Sequence, residues 1–188
     1  MDQNNCTKVL NIDIFNHKKN ENREPTKKVK TEKQPPKKRI ITTTNKWIDE
    51  LSPEKHLEYV IQIRNNTITD ISLCNIIQQQ IHQKISGYRS QDVLKNKLIE
   101  NLLINFNNVL DLMIESKNIC YYCKNCVQVL YENVREPKQW TLDRIDNDKG
   151  HNKNNVVIAC LACNLRRRTM YHERYVFTKQ LNIIKTDI

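Results

Sequence analysis

Three observations predict an α+β protein, helical first and finished by a small metal-stapled module of strands and a helix. Residues 46–117 repeat apolar side chains at helical spacing, whereas from residue 118 onward short apolar runs alternate with turn residues. Two Cys-x-x-Cys pairs, Cys120/Cys123 and Cys160/Cys163, bracket the second part. Residues 1–45 hold few large apolar side chains among many Lys, Asn, Thr and Pro. Such a segment buries too little surface to offset the entropy of ordering.

The expected organisation is a disordered basic arm over 1–45, a helical region over 46–117, the module over 118–175 and a tail over 176–188. The chain of 188 residues carries a formal charge of +10, a balance that bears on polyanionic partners rather than on fold. The excess is concentrated in residues 1–46, where 12 Lys/Arg face five acids. Within that arm Lys27-Lys28-Val-Lys30 and Pro35-Pro36-Lys37-Lys38-Arg39 match nuclear-localisation patches, and equally match a solvated tail that attracts nucleic acid. No apolar run approaches the roughly 20 residues of a membrane span, and the first residues lack the order of a signal peptide. A soluble, intracellular protein is expected.

Ser52 before Pro53 and Glu54 starts the first helix, a capping hydroxyl followed by proline in the first turn. Leu57, Val60, Ile61 and Ile63 give it an apolar side. Asp70 is placed to cap a second helix in which Ile77, Ile81 and Ile85 recur every four residues, and Gly87-Tyr88 is expected to break it. Ser90 then opens the longest expected helix, with Leu94, Leu98, Leu102, Phe106 and Leu110 on one stripe. These stripes read as core, the layer against which a tiny metal module packs.

In the module, Val127–Tyr131, Trp140–Leu142 and Asn155–Ala159 are the expected strands, and Asn164–Arg168 opens a helix just past the last cysteine pair. Paired Cys-x-x-Cys knuckles offer four soft thiolates in tetrahedral reach, which suits zinc and a reducing compartment rather than disulfides. Cys123-Lys-Asn-Cys126 is an overlapping pair, so spacing alone leaves Cys126 in play. Cys6 and Cys74 have no partner by spacing. Asp143 between the pairs and Asn164 beside the last cysteine add hard oxygens, the donors a catalytic cation such as Mg²⁺ prefers.

The constellation Cys120-Tyr-Tyr-Cys123, Trp140-Thr-Leu-Asp-Arg-Ile-Asp146 and Asn155-Val-Val-Ile-Ala-Cys160-Leu-Ala-Cys163-Asn164 resembles the HNH nucleases over residues 118–175. In particular it looks like the zinc-stapled HNH proteins of large DNA viruses and phages. The resemblance implies a β-hairpin and helix around a metal (ββα-metal), with Cys120, Cys123, Cys160 and Cys163 as zinc ligands and Cys126 left over. It implies Asp143 and Asn164 as ligands of a catalytic Mg²⁺ or Mn²⁺, and Asn155 as the brace of the intervening loop. The implied activity is hydrolysis of phosphodiester bonds in DNA, at the nucleus or a viral replication site. Arg144, however, stands where the family has its histidine base, and a guanidinium does not give up its proton. His151, in the loop between the motif strands, His172 or Tyr171 on the following helix, or the phosphate itself with metal-bound water is left to take the proton. Arg166, Arg167 and Arg168 sit where guanidiniums clamp phosphates. The competing expectation is an HNH-derived, zinc-dependent DNA-binding protein that no longer cuts, with an RNA-binding accessory protein behind it. Oligomeric state is not legible in the sequence.

Overall fold

The computed structural model describes residues 35–40 and 52–181. Residues 36–179 form one compact unit, and the other unit, residues 1–35 and 180–188, lies almost wholly outside the described residues. The architecture is α+β. Among the described residues there are five helices and one two-stranded antiparallel sheet: α1 (Pro53–Asn65), α2 (Ile71–Leu94), α3 (Phe106–Glu115), β1 (Trp140–Arg144), β2 (Val156–Cys160), α4 (Leu161–Arg167) and α5 (His172–Gln180). None of these helices is long and apolar enough to cross a membrane.

Ser52 caps α1 by accepting from the Lys55 amide, and left-handed Asn66 closes it. The face it buries is His56, Val60 and Ile63; Ile61, expected on that face, is exposed. His56 Nδ1 accepts from the Val129 amide at 3.3 Å, and its Nε2 is buried without a partner among the described residues. Burial therefore holds the ring neutral, with its pKa drawn from 6.5 down to about 4. A pKa lowered by folding leaves stability whole above about 6.5 and removes it as pH falls toward 4. The loss from this ring is about 3 kcal/mol. Urea unfolding between pH 7 and 4 should show it, and His56→Asn, which keeps an acceptor near Nδ1 but does not titrate, should flatten the slope.

Asp70 caps α2 through the Leu73 amide at 2.9 Å. The expected break at Gly87-Tyr88 does not occur, and α2 runs 24 residues to Leu94. A single helical glycine costs only about 1 kcal/mol, and Tyr88 offsets that by burying its ring and accepting from the Leu142 amide at 2.9 Å. The long helix expected from Ser90 is likewise corrected. The chain leaves α2 at Lys95, Asn96 turns left-handed (φ 53°), and a new helix begins at Phe106. Asn105 and Asn108 form a reciprocal capping box there. Leu94 and Leu102, placed on the expected stripe, are exposed, while Val109, Leu110 and Met113 enter the core.

β1 and β2 pair with Trp140 opposite Cys160 and Asp143 opposite Val157. The third expected strand, Val127–Tyr131, is not one. Val127, Val129 and Leu130 are buried, but the segment makes only an isolated bridge, Gln128 with Gln139, because the Val129 amide is taken by His56. α1 packs on α2 and α3, α3 reaches β2, and α4 packs on both strands. The outer edge of β1 is covered by α2 side chains: Lys84 Nζ donates to the Trp140 carbonyl and Tyr88 takes the Leu142 amide.

The arm was expected to be disordered throughout. Part of it is seated: Lys38 bridges Asn133, Val134 donates to the Lys37 carbonyl at 2.8 Å, and the Arg39 guanidinium lies 4.1 Å over the Tyr131 ring. The remainder of the arm, including Lys27–Lys30 and Cys6, lies outside the described residues, as does most of the C-terminal tail beyond α5.

Candidate functional site

The four paired cysteines converge. Cys120 and Cys123 flank a turn closed by left-handed Lys124, whose amide bonds the Cys120 carbonyl at 3.1 Å, and Tyr121 ties that turn to β2 through the Ile158 carbonyl at 2.8 Å. Cys160 ends β2 and caps α4, accepting from the Cys163 amide at 3.4 Å. Cys160 in turn donates its own amide to Cys120 Sγ at 3.2 Å. The sulfurs all lie within 4.8 Å of one another. Cys123 and Cys160 sulfurs are 3.8 Å apart, and four Zn–S bonds of ~2.3 Å span edges of about that length in a tetrahedron. The cluster can hold a zinc ion. Cys126 is exposed and outside it, and Cys74 is buried in the helical core.

A hydrogen bond from Cys160 draws the Cys120 thiol down to about 4, while that same bond pushes the Cys160 thiol up and burial raises Cys163.

Beside the staple, α2, β1, α4 and the loop after β1 line a cavity of about 470 Å³. Asp143, Arg144, His151, Asn164 and Arg168 all reach it. Asp143, the last residue but one of β1 and opposite Val157, is 6% exposed. Its Oδ1 accepts from Arg167 Nη1 at 2.8 Å and its Oδ2 from the Tyr122 hydroxyl at 2.5 Å. The Tyr122 hydroxyl lies 3.0 Å from His172 Nδ1. Burial lowers the His172 pKa and raises that of Tyr122, so a neutral imidazole and a neutral phenol surround the carboxylate. Asn164 Nδ2 donates to Thr141 Oγ1 at 3.1 Å, fixing the amide against β1.

Asn155 closes the loop that carries His151. Its Nδ2 donates to the Asp146 and Gly150 carbonyls, and its Oδ1 accepts from the Asp146 amide, each at 2.9 Å. Arg144 Nη1 donates to the Asn147 and Lys149 carbonyls at 3.3 and 3.0 Å, holding the same loop. Asp146 accepts from the Asp148 amide and meets Lys149 at 3.3 Å, an Asx-type turn. His151 is 5% exposed, its Nδ1 2.8 Å from Asp92 Oδ1. Tyr171 stands out at 78% exposure and His172 is turned to Tyr122.

The arginine run divides. Arg166 and Arg168 are exposed, and Arg168 lines the cavity. Arg167, expected as a phosphate contact, is 1% exposed and spends its guanidinium on Asp143 and the Ile145 carbonyl. Three contributors had no signal as site residues: Asp92 and Tyr88 on α2, and Tyr122 inside the first knuckle. Tyr88 reads with Gly87 as a helix break, Asp92 belongs to no motif, and Tyr122 is hidden between two cysteines.

No family model, no curated protein and no solved structure matches this chain.

Proposed function

We propose that the protein is a metal-dependent endonuclease of HNH type that hydrolyses phosphodiester bonds in DNA. One observation carries the reading: a single cavity is lined by Asp143, Asn164, His151, Arg144 and Arg168, residues of the types that bind a cation, take a proton and attract phosphate. Asp143 and Asn164 would hold a Mg²⁺ or Mn²⁺ ion, which when bound supplies charge neutralisation at the scissile phosphate. The donor set fits. A carboxylate offers about four acceptor sites, of which Arg167 and Tyr122 use one on each oxygen, and Asn164 commits its amino group rather than its carbonyl to Thr141 and Leu142.

The protein's own groups supply the rest. Arg168 and Arg166, past the last cysteine, attract the phosphodiester backbone. Asn155 and Arg144 keep the loop rigid, and the zinc-stapled turn fixes β2 and α4 so that Asn164 faces Asp143's strand. The charge of +10, concentrated in residues 1–46, favours a polyanion and adds sequence-independent attraction. Basic patches in the arm are compatible with action in a nucleus or at a viral replication site.

A second reading has its own observation. Arg167 already neutralises Asp143 inside the protein, an arrangement that serves a zinc-dependent DNA-binding module with no cleavage. Plasmid nicking separates the two. The nuclease reading expects supercoiled DNA to become nicked with Mg²⁺ or Mn²⁺ and to stay intact with EDTA. DNA retention without nicking under any divalent ion favours the binding module, and retention of RNA in preference to DNA favours an RNA-binding role.

A further inference from the structure

We infer that Asp92 and His151 form a proton-accepting dyad, with His151 the catalytic base and Asp92, on α2 outside the motif, its positioning residue. The inference rests on the nuclease reading and supplies the base that Arg144 cannot be.

The geometry is built rather than incidental. Asp92 is fully buried, and both its oxygens hold His151: Oδ2 accepts from the backbone amide at 2.6 Å, and Oδ1 lies 2.8 Å from Nδ1. Tyr88, one turn earlier on α2, stacks on the imidazole with centroids 4.5 Å apart. Gly150 completes the arrangement. A Cβ there would lie 2.5 Å from the Lys97 carbonyl and 2.9 Å from Asp92 Oδ2, so only glycine lets the loop come this close. Gly150 and Gly87 are the two glycines of the chain, and this one seats the histidine.

With its amide and Nδ1 spent on one carboxylate, the ring keeps Nε2 for chemistry. A carboxylate against Nδ1 selects the tautomer that is protonated there, which leaves the Nε2 lone pair as acceptor. His151 lines the same cavity as Asp143 and Asn164. The groups facing the ring are Asp92, Tyr88 and Lys95 from α2 and its end, and Arg144 from the end of β1. Burial lowers the His151 pKa and Asp92 opposes the fall. The ring is therefore neutral near pH 7, and Asp92 stabilises the imidazolium formed in the reaction.

A water molecule gives a proton to Nε2 as its oxygen bonds to phosphorus, and the bond from phosphorus to the leaving 3′ oxygen breaks. That oxygen takes a proton from solvent, and the imidazolium returns its own proton to solvent. No oxidant, reductant or further reactant is needed.

The test is a double-mutant cycle on the zinc-loaded full chain, with plasmid nicking in Mn²⁺ measured across pH. His151→Ala should slow nicking by ~10²-fold or more and remove the rise of rate with pH, and added imidazole should restore part of the rate. Asp92→Asn should slow nicking by ~10-fold or more and move the rise to lower pH, yet have no further effect in the His151→Ala background. An equal loss from Asp92→Asn in both backgrounds, with the pH rise unmoved, overturns the dyad and leaves the nuclease reading standing. A wild-type protein that never nicks overturns both. Should Asp92→Asn fail to fold, the tautomer decides in the wild type: long-range ¹H–¹⁵N spectra should show His151 protonated at Nδ1 near pH 7, and protonation at Nε2 overturns the assignment.

Discussion

Cys160→Ser is expected to release zinc and melt the C-terminal half of the protein. Cys160 does three things at one position: it ends β2, it caps α4 through the Cys163 amide, and its backbone amide bonds Cys120 sulfur. Structural zinc in small modules is worth about 10–16 kcal/mol at neutral pH, as much as the whole stability of an ordinary domain, about 5–15 kcal/mol. The sheet it supports has only two strands, which do not persist alone in water. Metal content and thermal unfolding of the purified variant check this. The exposed Cys126 serves as control, since Cys126→Ser should keep one zinc and the parental melting temperature. A Cys160→Ser protein that retains both would show that Cys160 is not a zinc ligand and that the four-thiol staple is wrongly assigned.

The second large effect is at Asp143. Asp143→Ala leaves the Arg167 guanidinium, 1% exposed, with no counter-ion. Removing one partner of a buried pair costs about 3–5 kcal/mol, which urea unfolding would read directly. The double variant Asp143→Ala/Arg167→Met should recover much of that loss, because no charge is then stranded. Nicking should behave differently. If Asp143 holds the cation, activity falls by ~10²-fold or more in the single variant and stays low in the recovered double. Activity that returns together with stability would assign Asp143 a structural role only.

These two positions also mark what could be read from the chain. The cysteine pairs, the helix starts at Ser52 and Asp70, and the two paired strands were legible because each rests on local chemistry: knuckle spacing, capping side chains, apolar runs. The break at Gly87 was misread because one glycine is a small cost against a buried Tyr88. The division of the arginine run was hidden because neighbouring helical residues point about 100° apart, and composition does not tell which one turns inward. Asp92 and His151 are 59 residues apart, and no periodicity links them. Such a pairing exists only once α2 is laid against the loop, so a resemblance confined to residues 118–175 does not contain it.

The way α2 seals the outer edge of β1 has a consequence for solubility and for dissection. Lys84 and Tyr88 occupy backbone groups of Trp140 and Leu142 that would otherwise recruit a strand from another molecule. A fragment beginning at residue 118 would keep all four paired cysteines and still leave the Trp140 carbonyl and the Leu142 amide without their α2 partners, along with the apolar surface that the helices cover. Such a fragment is expected to aggregate while loaded with metal. The smallest portion that behaves as a monomer-sized folding unit therefore begins at or before α2, well ahead of the first cysteine knuckle.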